Sequence, residues 1–251
     1  MKEDIILKRV GVLAPQSVID NTPYDFYRVA PEGILLQIVA LGIRGFSRDE
    51  VERVFAPLDE LLDMLMLRHA DMYHLSGVPL QLALCVDGYD RVMTHIETYT
   101  GKLATSSVRG AVAAAKKLGI QNVALVNKFT KAMNDVLAEL FRREGIDVAG
   151  VSSWEEHADA MSPPNVYMRM PRQENLDIGH RLCSAAIRKF PKADGIYIGG
   201  GSWRLTPLVK GMEENFGVPV VAHQDSMIWD ILNRAGMWQP KPGLGKLLSQ
   251  P

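Results

Sequence analysis

Short apolar runs alternate with amphipathic segments along the whole 251-residue chain. Eight of these runs have the length and composition of buried strands, and a segment with helical periodicity follows most of them. This alternation is typical of βα units around a parallel sheet. The predicted strands are 9–14, 34–41, 70–75, 103–105, 122–126, 148–151, 195–198 and 218–222.

The helical segments show one apolar face each. In 130–143 the apolar residues recur at i, i+3, i+4, i+7 and i+8, and Thr130 is placed to cap the start. Three further segments repeat this scheme, with a capping residue before them and a glycine after them. They are 107–118, 206–216 and 226–235. Helices are also predicted at 176–190 and at 58–67, where the apolar density predicts burial on more than one side.

Two stretches of the chain have the same order of elements. Residues 70–118 and 193–236 each give a strand, a loop of small residues, a helix, a strand and a helix. This predicts an α/β fold of two pseudo-symmetric lobes with parallel sheets and an active-site cleft between them. We expect the first lobe to contain 1–105 plus 218–251 and the second 106–217, while the proline-rich stretch 152–172 is a lid or an oligomer contact.

Composition narrows the classes of partner. The chain has 28 Lys and Arg against 29 Asp and Glu, so nothing indicates a nucleic acid or an anionic membrane. Its 2 cysteines form neither a disulfide framework nor a Cys/His cluster for a metal, which favours a reducing, cytoplasmic location. The acidic start and the lack of a long apolar stretch predict neither an export signal nor a membrane span.

The strongest local motif is the glycine loop after the strand 195–198. Gly199, Gly200, Gly201 and Ser202 lead from a buried strand into a helix. Glycines let backbone N–H groups approach a ligand, and a helix N-terminus favours an anion, so a carboxylate or phosphate is the expected ligand. Arg204 breaks the G-x-G-x-x-G pattern of dinucleotide sites. The alternative is that these glycines only turn the chain.

A second loop, Ser76-Gly77-Val78-Pro79, follows the strand 70–75 in the same way. Taken alone it is a plain βα turn. Together, the two loops could surround one carboxylate with N–H donors and stabilise an enediolate formed by loss of CO2 or of an α-proton.

Other strand ends add candidate side chains. Asn127, Lys128 and Phe129 follow the strand 122–126, and Lys128 is a candidate anion contact. His223 and Gln224 end the last strand, and His223 is a candidate acid or base because histidine titrates near neutral pH. Pro15 and Gln16 end the first strand at the same predicted sheet edge.

Several of these segments resemble the arylmalonate decarboxylase family, within the superfamily of maleate isomerases and aspartate/glutamate racemases. The resemblance rests on Leu75-Ser76-Gly77, 118–125 (LGIQNVAL), 217–221 (GVPVV) and 242–247 (PGLGKL), and it extends over nearly the whole chain. It implies two α/β lobes that hold a substrate carboxylate, and an enzyme that needs neither a metal nor an organic cofactor.

The resemblance also implies departures at the site. The family's loop cysteines correspond to Gly77 and Gly200, its hole-forming Thr-Ser pair to Val78 and Pro79, and its carboxylate-binding tyrosine to Phe129. Cys85 and Cys183 lie elsewhere and are expected to be structural. Racemisation and isomerisation depend on such thiols, so both are disfavoured.

The sequence therefore predicts a cofactor-independent decarboxylase (a lyase) acting on a small carboxylate or dicarboxylate. Proton transfer is assigned to Lys128, His223, Ser76, Ser202 or a bound water. Expected substrate contacts are Pro15, Gln16, Gly77, Val78, Asn127, Phe129, Gly199, Gly200, Gly201 and Gln224. The alternatives are another cysteine-independent lyase, isomerase or hydrolase, or a non-catalytic carboxylate- or partner-binding protein. The oligomeric state is open, with a homo-oligomer among the alternatives.

Overall fold

In a computed structural model of the protein, residues 5–19, 21–153, 172–200 and 203–251 are described. The chain divides into two compact units. Unit 1 takes the chain up to Gly110 together with Asp230–Gln239, and unit 2 takes Ala111–Trp229 together with Pro240–Pro251. The expected lid or oligomer contact falls largely on 154–171, which lies outside the described residues.

Unit 1 contains a four-stranded parallel sheet in the order β2-β1-β3-β4. Its strands are β1 (Lys8–Ala14), β2 (Ile34–Ala40), β3 (Met72–Leu75) and β4 (Ala104–Ser106). The helices that accompany them are α1 (Asn21–Val29), α2 (Arg48–Phe55), α3 (Leu58–Leu67), α4 (Val78–Ala83), α5 (Cys85–Thr100) and the start of α6 (Ser107–Lys117).

Unit 2 contains a second four-stranded parallel sheet, in the equivalent order β6-β5-β7-β8. Its strands are β5 (Asn122–Asn127), β6 (Asp147–Ser153), β7 (Gly195–Ile198) and β8 (Val220–Ala222). Its helices are α7 (Lys131–Arg143), α8 (Arg172–Lys189), α9 (Val209–Phe216), most of α10 (His223–Arg234) and α11 (Lys246–Ser249). A 3-10 turn, Thr206–Leu208, precedes α9.

These two sheets confirm the predicted α/β class, and all eight predicted strands are present. The chain divides later than the expected boundary at residue 218, because β8 pairs with β7 and so completes the sheet of unit 2. No helix among the described residues is both long and apolar enough to span a membrane.

The helix ends follow the expected chemistry. Thr130 caps α7 by accepting a hydrogen bond from the backbone N–H of Met133. The glycines after α6, α9 and α10, which are Gly119, Gly217 and Gly236, all have positive φ. Helix α10 begins at His223, three residues before the predicted start at 226, so His223 belongs to the helix rather than to the preceding strand.

The prediction that α3 is buried on more than one side is wrong. Leu58, Leu62 and Leu65 are buried, while Met64 is 50% exposed and Leu67 is 77% exposed. The buried residues are spaced four and three apart, so they form one stripe along the helix. Of the remaining apolar side chains of α3, Leu61 is half-buried and Met66 is exposed.

The buried carboxylate of Glu213 holds the C-terminal segment of unit 2 in place by hydrogen bonds. Glu213 accepts hydrogen bonds from the backbone N–H groups of Val220 at 3.1 Å and Lys246 at 2.8 Å. Burial raises the pKa of the Glu213 carboxyl above its ordinary value, while the two backbone donors oppose that rise. Glu213 thus ties the start of β8 and the start of α11 to α9.

Candidate functional site

The carboxyl ends of three neighbouring strands of unit 2 form one edge of its sheet. The pairing places Val126 beside Ile198, and Ile198 beside Ala222. Parallel strands end at the same edge, which is where α/β proteins bind their ligands. The first residues beyond β5, β7 and β8 on this edge are Lys128, Gly199 and His223.

Lys128 lies over the face of an indole ring. Its Nζ is 4.2 Å from the ring centroid of Trp203, which is almost fully buried. Burial lowers the pKa of the Lys128 amine from 10.5 to about 7. That lowering corresponds to roughly 5 kcal/mol, whereas a cation over an aromatic face gains about 0.5–2 kcal/mol. Desolvation therefore prevails, and Lys128 titrates well below the ordinary range for lysine.

The turn that carries Lys128 is held by two buried asparagines. Asn127 Nδ2 donates to Asn134 Oδ1 at 2.7 Å, and Asn127 Oδ1 accepts from the backbone N–H of Phe129 at 2.9 Å. Asn134 Nδ2 in turn donates to the carbonyl of Phe129 at 3.0 Å. The side chain of Asn127, predicted to contact substrate, is therefore engaged in fixing the turn, and the role of Asn134 appears only in the structure.

Phe129 packs against the glycine loop. A Cβ on Gly199 would lie 3.0 Å from Cε2 of Phe129, so a residue without a side chain allows the close approach. Gly200 has a φ of 122°, a conformation that L side chains rarely adopt. Among the described residues, no acceptor takes the N–H of Gly200. Gly201 and Ser202, predicted as a binding and a catalytic residue, lie outside the described residues.

His223 is the first residue of α10 and is 7% exposed. Burial lowers the pKa of its imidazole from 6.5 to about 4, so the ring is neutral at neutral pH. Gln224 beside it is also buried. Within the described part of the chain, His223 Nδ1 and Trp203 Nε1 are buried without a hydrogen-bond partner. Such orphaned polar atoms are uncommon in native interiors and are often explained by a ligand or a water.

Unit 1 has a corresponding loop with a different chemistry. The backbone N–H of Ser76 donates to the carbonyl of Leu13, as that of Gly199 donates to Val126 in unit 2. By this register Gly77 corresponds to Gly200, and Pro15 corresponds to Lys128. Among the other residues predicted here, Ser76 and Val78 are buried and Gln16 is exposed.

The Gly77 loop is closed by its own neighbours. The N–H of Gly77 donates to Ser107 Oγ at 3.1 Å, and a Cβ on Gly77 would lie 2.4 Å from Cγ of Pro15. Pro79 has no N–H to offer. Ser107 is the first residue of α6 and has the position that His223 has in unit 2. The donor predicted at Gly77 is therefore already engaged within unit 1.

Neither cysteine lies at a described strand end. Cys85 is exposed at the first residue of α5, and Cys183 is buried in α8, where burial raises the pKa of its thiol. Among the described residues, no group of three or more His, Cys, Asp and Glu side chains is arranged to hold a metal ion.

Comparison with known proteins agrees with this architecture. The family model described as arylmalonate decarboxylase matches residues 10–248. A glycine-to-cysteine mutant of arylmalonate decarboxylase, in a sulfate-associated form, has a TM-score of 0.80 at 19% identity over 96% of this chain and 100% of that chain. Maleate isomerase from Pseudomonas putida S16 has a TM-score of 0.77 at 20% identity, over 96% and 98%.

A maleate cis-trans isomerase from Nocardia farcinica also matches. This cysteine-to-serine mutant, which carries a covalently bound succinylcysteine intermediate, has a TM-score of 0.77 at 18% identity over 97% of this chain and 99% of that chain. No curated protein sequence matches the chain. Two four-stranded parallel sheets with flanking helices are the α/β architecture that this chain shares with those structures. Because the family model covers most of its length, the chain belongs to the arylmalonate decarboxylase family.

Proposed function

We propose that the protein is a cofactor-independent lyase that removes CO2 from a small carboxylate or dicarboxylate, with Lys128 as the proton donor. The observation that carries this proposal is the position of the Lys128 amine, 4.2 Å from the ring centroid of Trp203, which is also the described side chain that a Cβ on Gly200 would meet. A lysine whose pKa lies near 7 donates a proton at neutral pH more readily than an ordinary lysine.

Loss of CO2 leaves an electron pair on carbon, which must be stabilised and then protonated. The retained carboxylate would be held by the N–H of Gly200 and the N-terminal turn of α10. Sulfate, another oxyanion, is associated with one solved structure of arylmalonate decarboxylase. The imidazole of His223, being neutral at neutral pH, would serve as a hydrogen-bonding group rather than as a cationic acid.

The isomerase alternative has less support. The maleate isomerase of Nocardia farcinica forms a succinylcysteine intermediate, which requires a cysteine nucleophile. The exposed Cys85 is at the start of α5, and the buried Cys183 is in the middle of α8. Neither thiol therefore lies in a glycine loop.

The test is a substrate panel of arylmalonates, alkylmalonates, maleate and related diacids, followed by CO2 release and by NMR of the products. Lys128→Met is compared with Lys131→Met, a matched control whose side chain is 87% exposed and paired with Asp135. We expect the Lys128 variant to lose on the order of a hundredfold in rate and the Lys131 variant to keep it.

Two results would contradict the proposal. One is conversion of maleate to its trans isomer without CO2, which would support the isomerase. The other is thermal stabilisation by diacids with no consumption of any of them, which would support a carboxylate-binding protein.

A further inference from the structure

Lys128 of unit 2 occupies the position that Pro15 has in unit 1. The N–H of Ser76 donates to the carbonyl of Leu13 and that of Gly199 donates to the carbonyl of Val126, so the residues two positions after Leu13 and Val126 are equivalent. In unit 1 that residue is Pro15, whose ring fills the space next to Gly77. In unit 2 the equivalent position is taken by Lys128, whose amine lies over the ring of Trp203, and Trp203 is the described side chain that a Cβ on Gly200 would meet.

The Gly77 loop offers few groups that could accept negative charge. The N–H of Gly77 is engaged by Ser107 Oγ, and Pro79 has no N–H. The side chain of Val78 is apolar and buried. The loop of unit 1 is therefore a poor acceptor for the electron pair that decarboxylation releases, and the inference is confined to the strand ends of unit 2.

Lys128 has the surroundings of an amine nucleophile. It is half-buried on the Trp203 face, and burial brings its pKa to about 7, so a substantial neutral fraction exists at neutral pH. The same aromatic face stabilises a cation, whether this is the ammonium group or an iminium formed on Nζ.

We propose that Lys128 forms an imine with the ketone carbonyl of a small 3-oxo acid, and that the protonated imine accepts the electron pair released with CO2. This inference rests on the proposed lyase function, names a substrate class for it and gives Lys128 the role of nucleophile in place of proton donor. A 3-oxo acid is required because its carboxylate is attached to the carbon next to the carbonyl carbon.

The step is balanced by water and one proton. Lys128 Nζ adds to the carbonyl carbon, and the carbonyl oxygen leaves as water, which gives the iminium ion. The bond to the carboxylate then breaks, CO2 leaves, and its electron pair moves into an enamine that neutralises the nitrogen. A proton from solvent adds to carbon, and water hydrolyses the new iminium to a ketone and the free amine. The sum is one 3-oxo acid and one proton converted to one ketone and one CO2.

The test uses the full-length protein with acetoacetate, 3-oxopentanoate and oxaloacetate in the presence of sodium cyanoborohydride. We expect irreversible inactivation and a reduced adduct on the peptide that contains Lys128. Lys131→Met should give the same adduct, and Lys128→Met should give none. The absence of an adduct on Lys128 with all three acids would overturn the proposal, whether or not the variants fold, because this readout uses the wild-type chain.

Oxygen labelling separates this proposal from the simpler proton-donor role. Imine formation replaces the carbonyl oxygen in every turnover, so acetone formed from acetoacetate in 18O water must carry solvent oxygen beyond uncatalysed exchange.

If malonates lose CO2 in a Lys128-dependent reaction while no adduct forms, the lyase function stands and the imine is overturned. If only 3-oxo acids react and the adduct forms, the imine stands and the malonate substrates are excluded. If no acid reacts and no adduct forms, both proposals fail.

Discussion

Gly77 and Pro15 approach each other so closely in unit 1 that a side chain on the glycine has no room. A Cβ on Gly77 would lie 2.4 Å from Cγ of Pro15, and the φ of Gly77 is 86°. In unit 2 the nearest atom to a Cβ on Gly200, among the described residues, would be Cε3 of Trp203 at 3.9 Å, but the φ of 122° disfavours any L side chain. Both positions at which the resemblance implies a thiol are therefore built for glycine, for different reasons.

Gly77→Ala should cost more stability than a change at a glycine with similar φ and open surroundings. Gly101, with a φ of 63° and no atom within 4 Å of its added Cβ, is the matched control. We expect Gly101→Ala to lower the free energy of unfolding by about 1 kcal/mol, and Gly77→Ala by a further 1–3 kcal/mol or so through overpacking. Urea denaturation measures both.

The contact with Pro15 can be tested separately. Pro15→Ala removes the two closest atoms, Cγ and Cδ, and should recover part of the loss caused by Gly77→Ala in the double variant. Equal losses of unfolding free energy in Gly77→Ala and Gly101→Ala would contradict the close contact between Gly77 and Pro15.

Hydrophobic periodicity predicted the eight strands because each is a short apolar run that ends at a loop of small or polar residues. Thr130 and the glycines that end three helices were predictable for the same local reason. The end of β8 was not predictable from a local pattern. His223 follows the strand directly, and only the backbone geometry of α10 shows that His223 starts a helix. Residues joined by long-range pairing were also missed. Ser107 lies 30 positions from Gly77, and no local pattern connects them.

Chemistry at the strand ends was only partly predictable. The position of Lys128 followed from the end of β5, but its lowered pKa depends on its burial in the folded chain, which no local pattern shows. Asn127 was predicted to bind substrate because it ends a strand. Its amide bonds to Asn134 and to the backbone of Phe129, a pairing that depends on how α7 packs, and its contact with substrate stays a prediction.

Replacing Asn134 should disturb the turn that carries Lys128. Asn134→Ala leaves Asn127 Nδ2 and the carbonyl of Phe129 without their buried partner. We expect the free energy of unfolding to fall by about 2–3 kcal/mol, with a loss of decarboxylation rate in the protein that remains folded. The neighbouring control Asp135→Asn breaks only an exposed ion pair and should cost less than about 1 kcal/mol. Similar losses of unfolding free energy in Asn134→Ala and Asp135→Asn would argue against a buried hydrogen-bond network around Asn134.

Stability should depend on the protonation of His223. Its pKa is about 4 in the folded state and near 6.5 in the unfolded state, so the unfolded chain binds more protons between these values. Its contribution is complete above pH 6.5 and is lost as the pH falls towards 4, by roughly 3 kcal/mol. Denaturation of His223→Gln across this range should show a pH dependence weaker by that amount. A constant difference between wild type and variant would show that His223 does not titrate in this way.

The pH dependence of catalysis should distinguish the two roles of Lys128. As a proton donor to malonate-type substrates it must be protonated, so kcat/KM should fall as the pH rises above about 7. As a nucleophile towards 3-oxo acids it must be neutral, so kcat/KM should instead rise with pH up to about 7. Lys131→Met should keep the same profile. Residual activity of Lys128→Met with the same inflection would assign it to another group.

The titration of the Lys128 amine tests the account most directly. Lysines labelled with 13C and 15N give separate side-chain NMR signals, and the signal missing from Lys128→Arg identifies Lys128. We expect this signal to titrate with a midpoint near 7, whereas ordinary lysines titrate at about 10.4. A midpoint for Lys128 in the ordinary lysine range would contradict it, because the amine would then be neither a poised acid nor a nucleophile at neutral pH.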